Sequence, residues 1–327
     1  MKKKALLTAV IMCLSTFTGC MQSNADYIKN NDNDELSIVT TCFPPYDFAR
    51  AVKGNTDNIT MLISAGAEAH SYEPTPLDIL KIQQCDVFIY IGGEGEVWAD
   101  KILDSIDTSN MTIVKLIDYV EPLEEVEIEG TCTNEEHHHE HEHEHHEHEH
   151  EEEYDEHIWT SPENAAKMTE AVCKAFISAD SENSDVYVNN TENYVSELDL
   201  LDADFKEMRA NAENNLIIIG DRFPFRYLAE SYDLNYYAAF SVCSSETEPG
   251  VYTMAFLIEK LIETKSKYVF YLEFSTKKLA QKLCDASGAE MLPLQSCHNV
   301  TKSDFENGIT YIELMRQNLE NLRRALS

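Results

Sequence analysis

None of the nine cysteines forms a Cys-x-x-Cys pair, which argues against a cysteine zinc module and leaves no disulfide framework to read. Past Cys20 the thiols are Cys42, Cys85, Cys132, Cys173, Cys243, Cys284 and Cys297, odd in number and widely spread; they are expected as small buried apolar residues. Basic residues are scarce. Against 59 Asp and Glu stand 25 Lys and Arg, a formal net charge of -34. Such an acidic surface argues against nucleic acid and anionic lipid as partners and is compatible with cations. The apolar stretch Ala5–Leu14 is too short for a membrane span.

That stretch follows Lys2, Lys3 and Lys4 and precedes the small residues before Cys20, the pattern of a secretory signal peptide over residues 1–19. The run "FTGC" resembles a bacterial lipobox, which implies cleavage before Cys20 and a diacylglyceryl group on its sulfur. Residues 20–35 then read as a flexible tether rich in Asn and Asp. The expected location is extracytoplasmic, with the globule held at a membrane face by lipid.

The rest of the chain alternates β-branched apolar runs with helical patterns. "LSIVTT", "NITMLI", "CDVFIYIG" and "MTIVKLI" read as strands in the first half; "NLIIIG", "NYYAAF", "KYVFYLEF" and "AEMLPL" do so in the second. The expected fold is α/β, with two lobes, residues 36–184 and 215–327, each built on a four-stranded, mostly parallel sheet flanked by helices. Residues 185–214, without Gly or Pro, carry one apolar stripe of Tyr187, Tyr194, Leu198, Leu201, Phe205 and Met208, with Thr191 filling its gap. They predict a single long, rigid helix joining the lobes. The last helix is expected to start at Ser303, with Glu306 completing a capping box, and to bury Phe305, Ile312, Met315, Leu319 and Leu322.

Ten of the 12 histidines fall between Glu135 and Trp159. Nine of them, His137, His138, His139, His141, His143, His145, His146, His148 and His150, lie in a segment of almost pure His and Glu. The metalloprotease pattern His-Glu-x-x-His occurs there through composition alone. Such low complexity predicts an exposed, disordered loop over 132–153 whose imidazoles bind metal weakly at exchanging positions, or a solvated spacer.

The other candidates sit at strand ends, where open α/β sheets bind ligands. His70 follows the second strand, His157 follows the fourth strand and the tract, and His298 follows the last strand. Asp221 ends one strand and Glu273 nearly ends another. Imidazole and carboxylate lining a cleft between lobes would suit zinc or another divalent transition metal. Individually, each has a plainer reading: a loop histidine at the surface, an Asp221–Arg222 ion pair, a satisfied core carboxylate at Glu273.

Four segments change that balance. "TTCFPPYDFAR", "GAEAHSYEPTP", "DEHIWTSPENA" and "NGITYIELMRQNLENLRRAL" together resemble the metal-binding lipoproteins of zinc and manganese ABC importers. The resemblance implies two α/β lobes joined by one long helix, metal in the cleft between them, and delivery to a membrane permease with its ATPase. His70 and His157 match the first two ligands of that family, and zinc-selective members often carry an acidic His-rich loop just before the second. The second half departs from the pattern. Arg222 occupies the position of the third histidine, and a guanidinium cannot ligate a cation. Gln295 stands where the last carboxylate is expected. His298 is therefore expected to replace the lost imidazole, and Asp221, ahead of Glu273, to supply the carboxylate.

The expected function is capture of Zn(II) by a monomeric binding lipoprotein, with Mn(II) the second candidate cargo. Two other classes stay open. One is a surface adhesin or metal buffer without a transporter. The other is a zinc hydrolase, for which no second acid or base motif stands near the histidines.

Overall fold

The computed structural model describes residues 35–131, 154–241 and 249–327. The expected leader, Cys20 with its tether, and the nine tract histidines from His137 to His150 lie outside the described residues.

All eight expected strands form. β1 (Ile38–Thr40), β2 (Ile59–Met61), β3 (Val87–Tyr90) and β4 (Thr112–Lys115) make one sheet in the order β2-β1-β3-β4. β5 (Leu216–Arg222), β6 (Asn235–Phe240), β7 (Tyr268–Tyr271) and β8 (Glu290–Pro293) make the other, in the order β6-β5-β7-β8. Every pairing is parallel. The two sheets thus share one topology, in which the first strand lies between the second and the third. The chain leaves β1 and β3, and equally β5 and β7, toward opposite edges, which opens a crevice at their carboxyl ends.

Ten α-helices accompany the strands among the described residues: α1 (Phe43–Lys53), α2 (Pro76–Gln84), α3 (Val97–Leu103), α4 (Pro162–Ala179), α5 (Ser184–Asn211), α6 (Arg226–Ser231), α7 (Val251–Thr264), α8 (Lys278–Ser287), α9 (Lys302–Glu306) and α10 (Tyr311–Leu326). Successive strand residues point to opposite faces, and the cores follow that rule. Val39, Phe88 and Tyr90 pack with Ile82 of α2 and with Ala99 and Ile102 of α3. Ile218, Ala239 and Val269 pack with Leu257 and Leu261 of α7 and with Ala280 and Leu283 of α8. The other faces, carrying Ile38, Val87 and Ile89 from one sheet and Ile217, Ile219 and Phe270 from the other, join a single large cluster that runs through both lobes.

α5 is the rod of that cluster. Its 28 residues bury Tyr187, Thr191, Leu198, Leu201, Phe205 and Met208. Tyr194 is only partly buried, and its hydroxyl donates to Asp47 Oδ2 at 2.7 Å, fastening α5 to α1. The same oxygen also accepts the N–H of Tyr311 at 3.1 Å, so α10 is tied to the same point.

The end of the chain corrects one expectation. A single last helix capped by Ser303 and Glu306 does not form. Thr301 caps α9 by accepting the Asp304 N–H, the chain breaks at Gly308 with φ +75°, and a capping box of Thr310 and Glu313 starts α10. Gly308 adopts this left-handed backbone at little cost. Phe305 consequently leaves the stripe of Ile312, Met315, Leu319 and Leu322 and packs on the ring of Tyr46 at 5.0 Å.

Cys42, Cys85, Cys173, Cys284 and Cys297 are free and buried. Among the described residues no helix is long and apolar enough to cross a membrane.

Candidate metal centre

His157 lies between β4 and α4, just before a 3-10 turn over Ile158–Thr160 and Pro162, the first residue of α4. Its ring is fully buried. Asp155 Oδ1 accepts the His157 backbone N–H at 2.8 Å and lies 3.1 Å from Nδ1. A carboxylate only accepts, so Nδ1 is the protonated nitrogen and Nε2 carries the lone pair. That Nε2 is buried and has no hydrogen-bond partner. Burial opposes protonation of this imidazole, but the charge and hydrogen bond of Asp155, with Glu156 behind them, outweigh it and hold its pKa above the ordinary value.

His70 sits in the loop between β2 and α2, one-third exposed, with Nδ1 3.5 Å from Glu156 Oε1. Glu156 is 5 % exposed, and its Oε2 accepts the Gly95 N–H at 2.6 Å. Burial pushes the Glu156 carboxyl up, yet the hydrogen bond with His70, the neighbouring His157 and the Gly95 N–H together hold it below its usual value.

His298 stands between β8 and α9 on a turn in which Cys297 takes φ +60°. Several bonds hold that turn. The Asn318 amide accepts the Gln295 N–H at 2.7 Å and donates to its carbonyl at 2.8 Å. Trp159 Nε1 donates to the Ser296 carbonyl at 2.7 Å. The Asn299 amide donates to the carbonyls of Ser64 and Ala67, both at 2.9 Å, and so grips the loop that carries His70. Burial, followed by the neighbouring His70 and His157, pushes the His298 pKa well down and favours the neutral, ligating form.

The three rings form a triangle with centroid separations of 5.0 Å (His70–His298), 5.5 Å (His70–His157) and 5.7 Å (His157–His298). One nitrogen from each lies within 4.8 Å of the others. Zinc–nitrogen bonds of ~2.1 Å in a tetrahedron separate ligand atoms by about 3.4 Å, so modest ring movements bring all three onto one ion. Asp221 and Glu273 line the same cleft, outside this cluster of three. Asp221 Oδ1 accepts the Arg222 N–H at 3.0 Å. Glu273 accepts the Ser296 N–H at 2.7 Å and the Ser296 hydroxyl, and burial, opposed by these bonds, pushes its carboxyl up. Arg222 also lines the cleft. The volume is about 120 Å³, below the roughly 300–1,000 Å³ of organic-ligand pockets and suited to an ion.

Sequence reasoning placed the three histidines and both carboxylates at this cleft but missed what holds them. Asp155 stands two residues before His157 in the segment "DEHIWTSPENA". The engagement of Glu156 with a histidine 86 positions earlier, and the grip of Asn299, leave no local signal.

Residues 38–325 match the family of ZnuA, zinc-uptake complex component A, periplasmic. The zinc-binding lipoprotein AdcA of Streptococcus pneumoniae is 31% identical over 328 residues, covering 99% of this chain and 61% of AdcA, so the chain spans about three-fifths of that relative's length. The high-affinity zinc uptake system protein ZnuA of Bacillus subtilis is 29% identical over 325 residues, 99% of this chain and 98% of the relative. Among solved structures, the Zn(II)-bound ZnuA-like domain of Streptococcus pneumoniae AdcA aligns with a TM-score of 0.72 at 28% identity, over 89% of this chain and 99% of that one. With the match running through both sheets and the long helix between them, the chain belongs to the ZnuA family.

Proposed function

We propose that this protein captures Zn(II) outside the cytoplasm and hands it to the permease of an ABC importer, with His70, His157 and His298 as ligands. The observation that carries the reading is the buried, partnerless Nε2 of His157 in a triangle of imidazole nitrogens. A lone pair left unpaired in a protein interior costs free energy unless something binds it. Three imidazoles favour zinc over manganese, which prefers oxygen donors. Asp221 ranks ahead of Glu273 as the fourth ligand, because Glu273 already accepts two hydrogen bonds from Ser296.

The supporting roles follow from the sequence. Residues 1–19 act as a signal peptide, Cys20 carries the lipid anchor, and residues 20–35 tether a monomer to the membrane. Residues 36–184 and 215–327 form the lobes, joined by the helix within 185–214, and the His/Glu tract collects scarce metal. The family is one of zinc-uptake components, and we assign the chain no catalytic step.

Titration of the metal-free protein with Zn(II) against a competing chelator tests the reading. One tight equivalent per chain, bound more strongly than Mn(II), is expected, along with a growth defect confined to zinc-poor medium when the protein is deleted. Preference for Mn(II), or no tight equivalent, would reject it.

A further inference from the structure

We propose that Glu156 is the positioning residue of His70: its carboxylate accepts the Nδ1–H hydrogen bond and turns the Nε2 lone pair toward the metal, within a cradle that requires glycine at 93 and 95. The inference rests on the reading of His70 as a ligand.

Glu156 has the geometry of a built part. Its carboxylate is buried, with Oε1 3.5 Å from His70 Nδ1 and Oε2 accepting the Gly95 N–H at 2.6 Å. One oxygen is therefore clamped by backbone and the other is directed at the imidazole. The loop after β3 leaves room for nothing else. A Cβ on Gly95 would come within 2.5 Å of Oε1 and 2.7 Å of Oε2, and a Cβ on Gly93 within 2.9 Å of the Glu156 Cβ. Gly93 also holds φ +92°, a backbone that side chains disfavour.

The arrangement repeats next door. Asp155 bonds Nδ1 of His157 as Glu156 faces Nδ1 of His70. Two consecutive carboxylates thus serve two different histidines, one close in sequence and one far away. Outer carboxylates fix ring orientation and raise the basicity of the ligating nitrogen. Here they also set two negative charges one imidazole away from a dication whose three nearest donors are neutral. That explains how the chain works with Arg222 and Gln295 at positions where the resemblance leads one to expect a ligating imidazole and carboxylate.

Nitrogen-15 spectra of the metal-free protein, which read the imidazole tautomer, test the proposal together with zinc affinity. The unaltered protein should show His70 protonated on Nδ1. Glu156→Ala should mix the two tautomers and weaken zinc binding by about 10- to 100-fold. Glu156→Gln, which keeps an acceptor oxygen but loses the charge, should recover the tautomer and only part of the affinity. Gly95→Ala, which alters no charge, should displace the carboxylate and mix the tautomers as Glu156→Ala does. An unchanged tautomer in both Glu156→Ala and Gly95→Ala overturns the proposal, even with weakened binding. If Glu156→Ala does not fold, Gly95→Ala alone carries the decision, and an unchanged tautomer there overturns the proposal. The tautomer is read without metal, so its result is separable from the site reading, which fails if His70→Ala binds zinc as tightly as the unaltered chain.

Discussion

The indole of Trp159 lies 4.8 Å from the imidazole of His298 and 5.2 Å from that of His157, centroid to centroid, while its Nε1–H donates to the Ser296 carbonyl. One buried aromatic from the first lobe therefore touches two candidate ligands and clamps the turn that carries one of them.

Metal binding should change the fluorescence of this indole. The chain has two tryptophans, and the other, Trp98, packs on Tyr72. Trp98→Phe should keep the zinc-dependent signal and Trp159→Phe should lose it. Trp159→Phe should also leave the buried Ser296 carbonyl without its donor, at a cost of about 1–3 kcal/mol in stability. A full zinc signal in Trp159→Phe would mean that the ion binds elsewhere.

Removing a ligand should outweigh any outer-shell change. His157→Ala and His298→Ala should each weaken zinc by more than the roughly 10- to 100-fold typical of outer-shell substitutions, as read by chelator competition. Asp221→Asn should cost less than either histidine but more than Glu273→Gln; the reverse order would make Glu273 the carboxylate ligand. Arg222→His, which puts an imidazole where the family resemblance expects one, should make His298 dispensable.

The pH dependence of metal-free stability should report Glu96. Burial, foremost, pushes its carboxyl up to about 7, against bonds from Thr41 and the Gly92 N–H, with the charge of Glu156 adding to the rise. Because the folded value is raised, the stabilising contribution is complete below the unfolded value of about 4.3 and is lost as pH rises through about 7. Glu96→Gln cannot ionise. It should be more stable than the unaltered chain at pH 8, by at most on the order of 3 kcal/mol, and the gap should close toward pH 5. Urea denaturation at the two pH values measures this; an equal gap at both would exclude an ionised Glu96.

Replacing residues 135–150 by a short Gly-Ser linker should leave one tight zinc equivalent and remove only weak ones. Both flanks of the tract are fastened independently of it. Tyr154 bridges Glu124, the Asp155 N–H donates to the Leu123 carbonyl at 2.9 Å, and the Tyr227 hydroxyl donates to the Asp155 carbonyl at 2.8 Å. Shortening a loop between fixed points changes closure entropy only logarithmically. Loss of the tight equivalent in calorimetry would make the tract itself the site.

The strands and the long helix were legible because their signals are local: short continuous apolar runs rich in β-branched residues and an uninterrupted stripe from Tyr187 to Met208. The three histidines were legible because each follows a strand end. The break at Gly308 was missed because Ser303-x-x-Glu306 offers the same capping pattern as the true cap at Thr310, while the break signal at Asn307-Gly308 was passed over. Glu156 gave no local signal, since its partner, His70, is brought beside it only by the strands and helices that lie between them in the chain.

The core that passes unbroken through both sheets also couples the site to the assembly of the whole fold. Ile38 and Phe270 belong to one cluster with Leu198 of the connecting rod, so neither half has a finished interior without the other. The imidazoles come from residues 70, 157 and 298, drawn from both halves, and lie together in the closed fold. Contacts between such distant segments form late, after the loop-closure cost has been met. A half-folded chain consequently lacks the three-imidazole site, and an ion held by all three histidines reports that both halves have come together.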